Sequence, residues 1–439
     1  MTENQVDAAV TGARRAWFAW RHTPAAERGA ALRAAAATLR SGAASLAEIH
    51  EQDTGRPADE AVESIFAGAG TLEQYAELGP VHRGRSLHGA WSATDLMVPQ
   101  PRGVVVALTP WNDPVAVACG LLGAALVTGN VVVHKPSERS PNVGVRLGEL
   151  LAPAFPEGVL RTVTGDGSVG ARLAEHPGVD VIAHVGSTAT GRSIARAAAL
   201  TGAKALLENG GNDPLVVDSS VDPAWAARQA ALGAFANAGQ ICVSVERIYV
   251  HQGIAREFLA ALTAEARRWV RAPAGTGEHR LPPLVDEAHR AKVHDHVRQA
   301  LAAGAKALTG GQVPDGRGTW YPATVLADCT EDMTVMSEET FGPVAPVRVV
   351  ADFAEGLLAA TRGPYGLAAT VLTADMEHAQ EAWRTLPAGT VKINDVFGGA
   401  PGGAAQPRGA SGTGYGYGPE LLDEMTTTKV VHMTSPGRL

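Results

Sequence analysis

Two uninterrupted β-branched runs, Val104–Leu108 and Val131–His134, each give way to turn chemistry and then to a helical stretch. A strand that is apolar at every position is buried on both faces, the situation of a parallel sheet covered by crossover helices. Val159–Val163 and Val179–Val185 continue the pattern. After Asp213 the alternation repeats, with strands expected near Pro214–Val217, Arg247–Val250, Val347–Val350, Ala368–Leu372 and Thr390–Ile393. At 439 residues the chain exceeds what one hydrophobic core usually supports. The fold class is therefore α/β in two large lobes. Upstream, Ala16, Trp17 and Trp20, then Leu32, Ala36 and Leu39, recur at helical spacing and predict two or three amphipathic helices within residues 5–79. Residues 84–102 change character and suit a projecting hairpin. The Gly-rich segment 398–418 is expected to hold neither regular helix nor strand.

A hydrophobic fraction of 45% with 19% charged residues describes an ordinary globular protein. The net charge of −8, without any Lys/Arg-rich run, argues against a general nucleic-acid surface. Three scattered cysteines, Cys119, Cys242 and Cys329, are too few for a disulfide framework and point to a reducing compartment. The N-terminus lacks a secretory apolar core, and the stretch Val115–Val127 is too short to span a bilayer. A cytoplasmic location is expected, with no membrane partner.

A lone cysteine is more often a packing residue than a catalyst. Cys242 differs: it follows Gly239 and Gln240, and Ile241 and Val243 flank it as shields from bulk water. Glu208 precedes it by 242 − 208 = 34 positions, in LLENGGNDP. A thiol attacks a carbonyl carbon, and a carboxylate activates the water that releases the acyl group. By itself, however, a Glu before Gly-Gly reads as a solvated loop residue. Asn112, in a Trp-Asn turn, either satisfies that turn or joins the Cys242 amide in holding an oxyanion. Gly165-Asp-Gly167-Ser-Val-Gly170 matches the dinucleotide fingerprint, yet no acid follows at the expected distance, so it reads as a close-packing turn. His294 and His296 are two apart on an expected helix and face different ways, so no metal is expected.

TPWNDP (109–114), HKPSE (134–138), VGSTATG (185–191), LLENGGNDP, FANAGQICVS and EETFGPV (338–344) occur in this order. Together they resemble the aldehyde dehydrogenase superfamily over nearly the whole chain. The resemblance implies a Rossmann-like cofactor-binding domain (1–83 and 103–209), a second α/β catalytic domain (210–426) and a small β oligomerisation flap (84–102 and 427–439). It implies NAD-dependent oxidation of an aldehyde through a thiohemiacetal and a hydrolysed thioester. Cys242 is then the nucleophile, Glu208 the general base and Asn112 an oxyanion donor, with Cys119 and Cys329 left to packing. Gly186 and Ser187 open the helix that meets the cofactor diphosphate, and Trp111 belongs to the same cofactor site. Lys135 and Glu138 hold the adenosine ribose, with Ser137 beside them. Glu339 holds the nicotinamide ribose, and Phe341 backs the ring. Glu138 would repel a 2′-phosphate, so NAD is expected over NADP.

The sequence departs from the family at several places. It starts almost directly in the first helix. Asn209 stands where most relatives have Leu, and the usual Gly-Arg-Glu reads Gly414-Tyr415-Gly416. Asp113, Val117, Gly120 and Ala236 replace bulkier pocket residues, which predicts a wider, more polar entrance and a substrate larger or more polar than short alkyl aldehydes. Arg408 either contacts an anionic group or sits at the rim. The rival readings are a coenzyme-A-acylating semialdehyde enzyme, which generally lacks the Glu208 carboxylate, and a non-catalytic binding or scaffolding member. The expected partners are a small-molecule aldehyde and further copies of the chain, as a dimer or tetramer.

Overall fold

The N-terminal region folds as four helices rather than two or three: Glu3–Trp20, Ala25–Ser41, Ala43–Thr54 and Ala58–Val81. The breaks fall at Pro24, Gly42 and Pro57, each the residue before a new helix. A proline offers no N–H to continue a helical ladder, so apolar spacing alone overruns these joints. The computed structural model describes residues 2–271, 279–399 and 403–436.

The first lobe is built on a six-stranded sheet. Its order is Gly412–Thr413, Lys204–Glu208, Val181–Val185, Val104–Thr109, Val131–Pro136 and Leu160–Thr162. All neighbours are parallel except the first pair. Every residue of Val104–Thr109 and Val131–Pro136 is buried, as their unbroken apolar runs require. The chain runs outward from Val104–Thr109 to Leu160–Thr162, then returns to the other side of Val104–Thr109. That reversal is a topological switch point, where open α/β sheets bind ligands beyond the strands' carboxyl ends.

The second lobe has seven strands in the order Lys306–Thr309, Thr324–Ala327, Val344–Val350, Val245–His251, Asp213–Val217, Ala368–Leu372, Thr390–Ile393. Each lobe has its own apolar core. Arg85–Leu87, Ala93–Pro101 and Thr426–Thr434 form a separate antiparallel sheet, with Trp91 fully exposed in its turn. Among the described residues, no helix is long and apolar enough to cross a membrane.

Two sequence expectations are corrected here. The second lobe does not run unbroken to residue 426. Gly412–Thr413 pairs with Leu207 and Glu208 of the first sheet, and Leu421, Leu422 and Met425 join the first core. Asn130 Nδ2 donates to the Met425 carbonyl at 2.9 Å, and Lys204 pairs with Glu424. The Gly-rich segment also contains two short strands, Arg408–Gly409 and Gly412–Thr413.

Candidate active site

A cleft of about 770 Å³ opens at the switch point of the first sheet and reaches Cys242 in the second lobe. The helix Pro223–Phe235 delivers the nucleophile loop, and the chain then bends sharply: Asn237, Ala238 and Gly239 have φ of 48°, 55° and 71°. Left-handed backbone costs about 1 kcal/mol or more at a non-glycine residue, so this loop stores strain that its surroundings must offset. Gln240 supplies much of the clamp. Its Nε2 donates to the carbonyls of Asn237 and Pro283 at 3.0 and 3.3 Å, and its Oε1 accepts from Val285 N at 3.0 Å. The Gln240 carbonyl accepts from Asn237 Nδ2 and Asn112 Nδ2, at 3.2 and 3.0 Å. One amide hydrogen of Asn112 thus fixes its plane beside the cysteine loop, and the second is left for another acceptor.

Cys242 is partly exposed, whereas Cys119 and Cys329 are buried. Burial pushes the Cys242 thiol well above its ordinary pKa, and the carboxylates of Glu208, Asp213, Glu339 and Asp113 push it further. A protonated thiol needs a base to become a nucleophile. Glu208, at the end of strand Lys204–Glu208, lies beside the Cys242 thiol. Burial raises the Glu208 pKa, and the thiol contact opposes that shift.

Gly416 makes room for this carboxyl: a Cβ built there would lie 2.6 Å from Glu208 Oε2. Gly416→Ala is expected to shift the carboxyl and slow acyl release roughly tenfold, about 1.4 kcal/mol in barrier. Stopped-flow traces should keep their first-turnover burst while the steady-state slope falls. Asn209 is fixed rather than loose. Its Nδ2 donates to the Ala410 carbonyl at 3.0 Å, and its backbone N–H to the Ser411 carbonyl at 2.8 Å.

The cleft lining brings together Trp111, Asn112, Lys135, Ser137, Glu138, Gly186, Ser187, Cys242, Glu339 and Phe341. Ser187 caps the helix Thr188–Thr201, accepting from Thr190 N at 3.3 Å. Lys135 Nζ lies 3.2 Å from Glu138 Oε2 and also donates to the Pro136 carbonyl. Glu339 accepts from Gly211 N at 3.0 Å. Gly167 and Gly170 line the same cleft, so residues 165–170 are more than a packing turn. They open the helix Gly167–Glu175, whose start is already capped by the Asp166 carboxylate on Ser168 N. An anion fits less well against that acid than at Ser187.

Around the expected Phe341 and Trp111, several contributors carried no signal in the sequence. Phe341 has φ of 55° and packs edge-to-face with Trp111 at 5.6 Å between centroids. The carboxylate of Glu246 accepts from the amides of Thr340 and Phe341, at 3.0 and 2.9 Å. Its pKa is pushed up to about 8, by burial first and by Glu339 second. Lys292 Nζ donates to the Glu339 carbonyl at 2.8 Å, and His289 bonds the Phe341 carbonyl at 2.7 Å through Nε2. His184 also lines the cleft. Asp213 is buried with Oδ2 unpartnered, and desolvation raises its pKa well above the carboxylate range. Lys392 and the Ala368 amide oppose that rise.

The expected entrance needs correction. Gly120 is not open space, because the Tyr417 ring lies 3.4 Å from where its Cβ would sit. The Tyr417 hydroxyl is 2.7 Å from Thr71 Oγ1. Asp113 hydrogen bonds with Ser64 and lies 3.8 Å from an Arg56 guanidinium nitrogen. Its charge is therefore shared with two neighbours. Val117 packs half-buried on the first core and Ala236 on the second, while Ile241 and Val243 flank Cys242 half-buried. None of these six lines the cofactor-side cleft, and neither does Arg408, which is exposed on a strand paired with Tyr365–Gly366. His294 and His296 bond to different partners, Tyr321 and Thr340.

The sequence model of the aldehyde dehydrogenase family matches residues 1–431. An α-ketoglutarate semialdehyde dehydrogenase of Haloferax volcanii is 35% identical, covering 98% of this chain and 91% of that protein. Betaine aldehyde dehydrogenase 1 of Rhizobium meliloti is also 35% identical, covering 90% and 82%. Among solved structures, betaine aldehyde dehydrogenase from Staphylococcus aureus in complex with NAD+ superposes with a TM-score of 0.96. It is 30% identical and the match covers 100% of this chain and 89% of that one. An NAD-dependent aldehyde dehydrogenase from Sinorhizobium meliloti gives 0.95, with 32% identity and coverage of 100% and 88%.

Proposed function

The chain belongs to the aldehyde dehydrogenase family, and from that membership we propose the division of labour within its site. It is an oxidoreductase that converts an aldehyde to a carboxylate with NAD. The observation that carries the residue assignments is the meeting of Cys242 and the Asn112 amide in one cleft, with Glu208 beside the thiol. The Cys242 thiol gives up its proton to solvent as its sulfur bonds to the aldehyde carbon. The resulting oxyanion is held by the free Asn112 N–H and the Cys242 amide. NAD, when bound, accepts the hydride that turns the thiohemiacetal into a thioester. Glu208 then takes a proton from water as its oxygen attacks, and the C–S bond breaks to release the carboxylate.

The cleft fits such a cofactor. A helix start at Gly186–Ser187 suits a diphosphate, the Lys135–Glu138 pair suits ribose hydroxyls, and the edge-to-face Phe341–Trp111 pair suits a flat ring. Glu138 supports NAD over NADP, since a 2′-phosphate would meet its carboxylate. Glu138→Gln is expected to raise kcat/KM for NADP about tenfold relative to NAD. An unchanged ratio in initial-rate assays removes the residue from cofactor choice.

The partly exposed Asp113 carboxylate supports a substrate larger or more polar than short alkyl aldehydes. The exposed apolar residues Trp91, Val430 and Met433 of the three-stranded sheet support association with further copies. A panel containing acetaldehyde, propanal, α-ketoglutarate semialdehyde and betaine aldehyde tests the reading through NADH formation, with product identified with and without coenzyme A. Free carboxylate in both arms supports hydrolysis. An acyl-coenzyme A product, or acetaldehyde as the best substrate, overturns the corresponding part.

A further inference from the structure

We propose that His184 is a binding residue for the diphosphate bridge of the cofactor, acting as a neutral hydrogen-bond donor beneath the Gly186–Ser187 turn. The inference rests on the NAD reading above and adds to it a contact that the motifs did not reveal.

His184 is the penultimate residue of the strand Val181–Val185, paired with Leu108 at the switch point, and its ring forms part of the cleft wall. Only 7% of the residue is exposed, yet neither ring nitrogen makes a hydrogen bond of normal geometry within the protein. The Ser187 backbone is the nearby polar group that the ring feels. Leaving such a group unmade costs about 1–3 kcal/mol, so the orphan is expected to serve a ligand. The ring edge is turned toward the turn: a Cβ on Gly186 would lie 2.7 Å from Cε1 and 3.0 Å from Nε2. Glycine at 186 therefore lets the imidazole sit against the segment that opens the helix Thr188–Thr201.

Charge decides what the ring contacts. Lys135, Arg139 and Lys292 are the cations among the described cleft-lining residues, and all three are engaged. Lys135 is held by Glu138 and the Pro136 carbonyl, Arg139 lies 3.2 Å from Asp286, and Lys292 donates to the Glu339 carbonyl. A diphosphate at Ser187 must consequently be bound by neutral donors: backbone amides, the Ser187 hydroxyl and an imidazole N–H. Burial depresses the His184 pKa to about 4, which keeps the ring neutral at pH 7. A neutral ring retains one N–H to donate.

The test measures binding by calorimetry, without turnover, for wild type, His184→Phe and His184→Gln. The probes are NAD, ADP-ribose and adenosine. His184→Phe fills similar space without a donor and should weaken NAD and ADP-ribose roughly tenfold while leaving adenosine unchanged. His184→Gln should recover part of that loss. Equal weakening of all three probes in His184→Phe, or no weakening, overturns the assignment while the cofactor reading stands. Failure of the wild type to bind NAD or ADP-ribose overturns both. Should His184→Phe fail to fold, His184→Leu takes its place: a loss confined to NAD and ADP-ribose supports the proposal, and no loss, or a tenfold loss shared with adenosine, overturns it.

Discussion

Replacing Cys242 with alanine is expected to lower turnover by roughly 10⁴-fold or more, while NAD affinity stays within about twofold of wild type. The side chain sits where the cleft from the first lobe meets the strained loop of the second, and its thiol faces Glu208. Alanine removes the sulfur but leaves the Gln240 clamp in place, because those hydrogen bonds involve the Gln240 side chain and carbonyl. Cofactor titration and steady-state rates on the same preparation check the split. Residual turnover within about tenfold of wild type would remove Cys242 as the nucleophile.

Glu208→Gln separates the two half-reactions. The amide keeps the size of the carboxyl and the space provided by Gly416, but it cannot take a proton from water. A first burst of NADH close to one per site is expected, followed by a steady-state rate lower by roughly 10²–10⁴-fold. Rapid-quench measurement of the acyl-enzyme checks it, and unchanged steady-state rates count against the role. The sign of the pH effect follows from the shift. Burial raises the Glu208 pKa above the ordinary carboxylate value, and only the deprotonated form acts as base. Acyl release should therefore increase as pH rises through that raised pKa, and the glutamine variant should lack this acid-side limb.

The β-branched runs made the sheets legible because a parallel strand buried on both faces leaves an unbroken apolar signature. Thr390–Ile393 and Ala368–Leu372 coincide with their expected limits, and Val104–Thr109 extends the expected strand by one residue. The helical joints at Gly42 and Pro57 were less visible, since spacing continues across them. Within the site, Cys242, Asn112 and the expected cofactor residues line one cleft while Glu208 lies outside that lining, and His184, Glu246 and Asp213 sit in strands that read as ordinary buried sheet. Nothing local marks a histidine with unmade hydrogen bonds, because that property belongs to its surroundings. Gly120 shows the converse: its missing side chain suggested open space, but Tyr417, 297 positions later (417 − 120), fills it. A pocket's width depends on what the far end of the chain brings to it.

The crossing of residues 412–425 onto the first sheet also sets an order of events during synthesis. The strand Lys204–Glu208 emerges from the ribosome about two hundred residues before its antiparallel neighbour exists. Until then the nascent sheet presents an uncovered edge, bearing the very carboxylate that chemistry later needs, and its core lacks Leu421, Leu422 and Met425. A ribosome stalled or terminated before residue 412 would thus release a chain whose amino-terminal half is fully synthesised yet cannot seal itself.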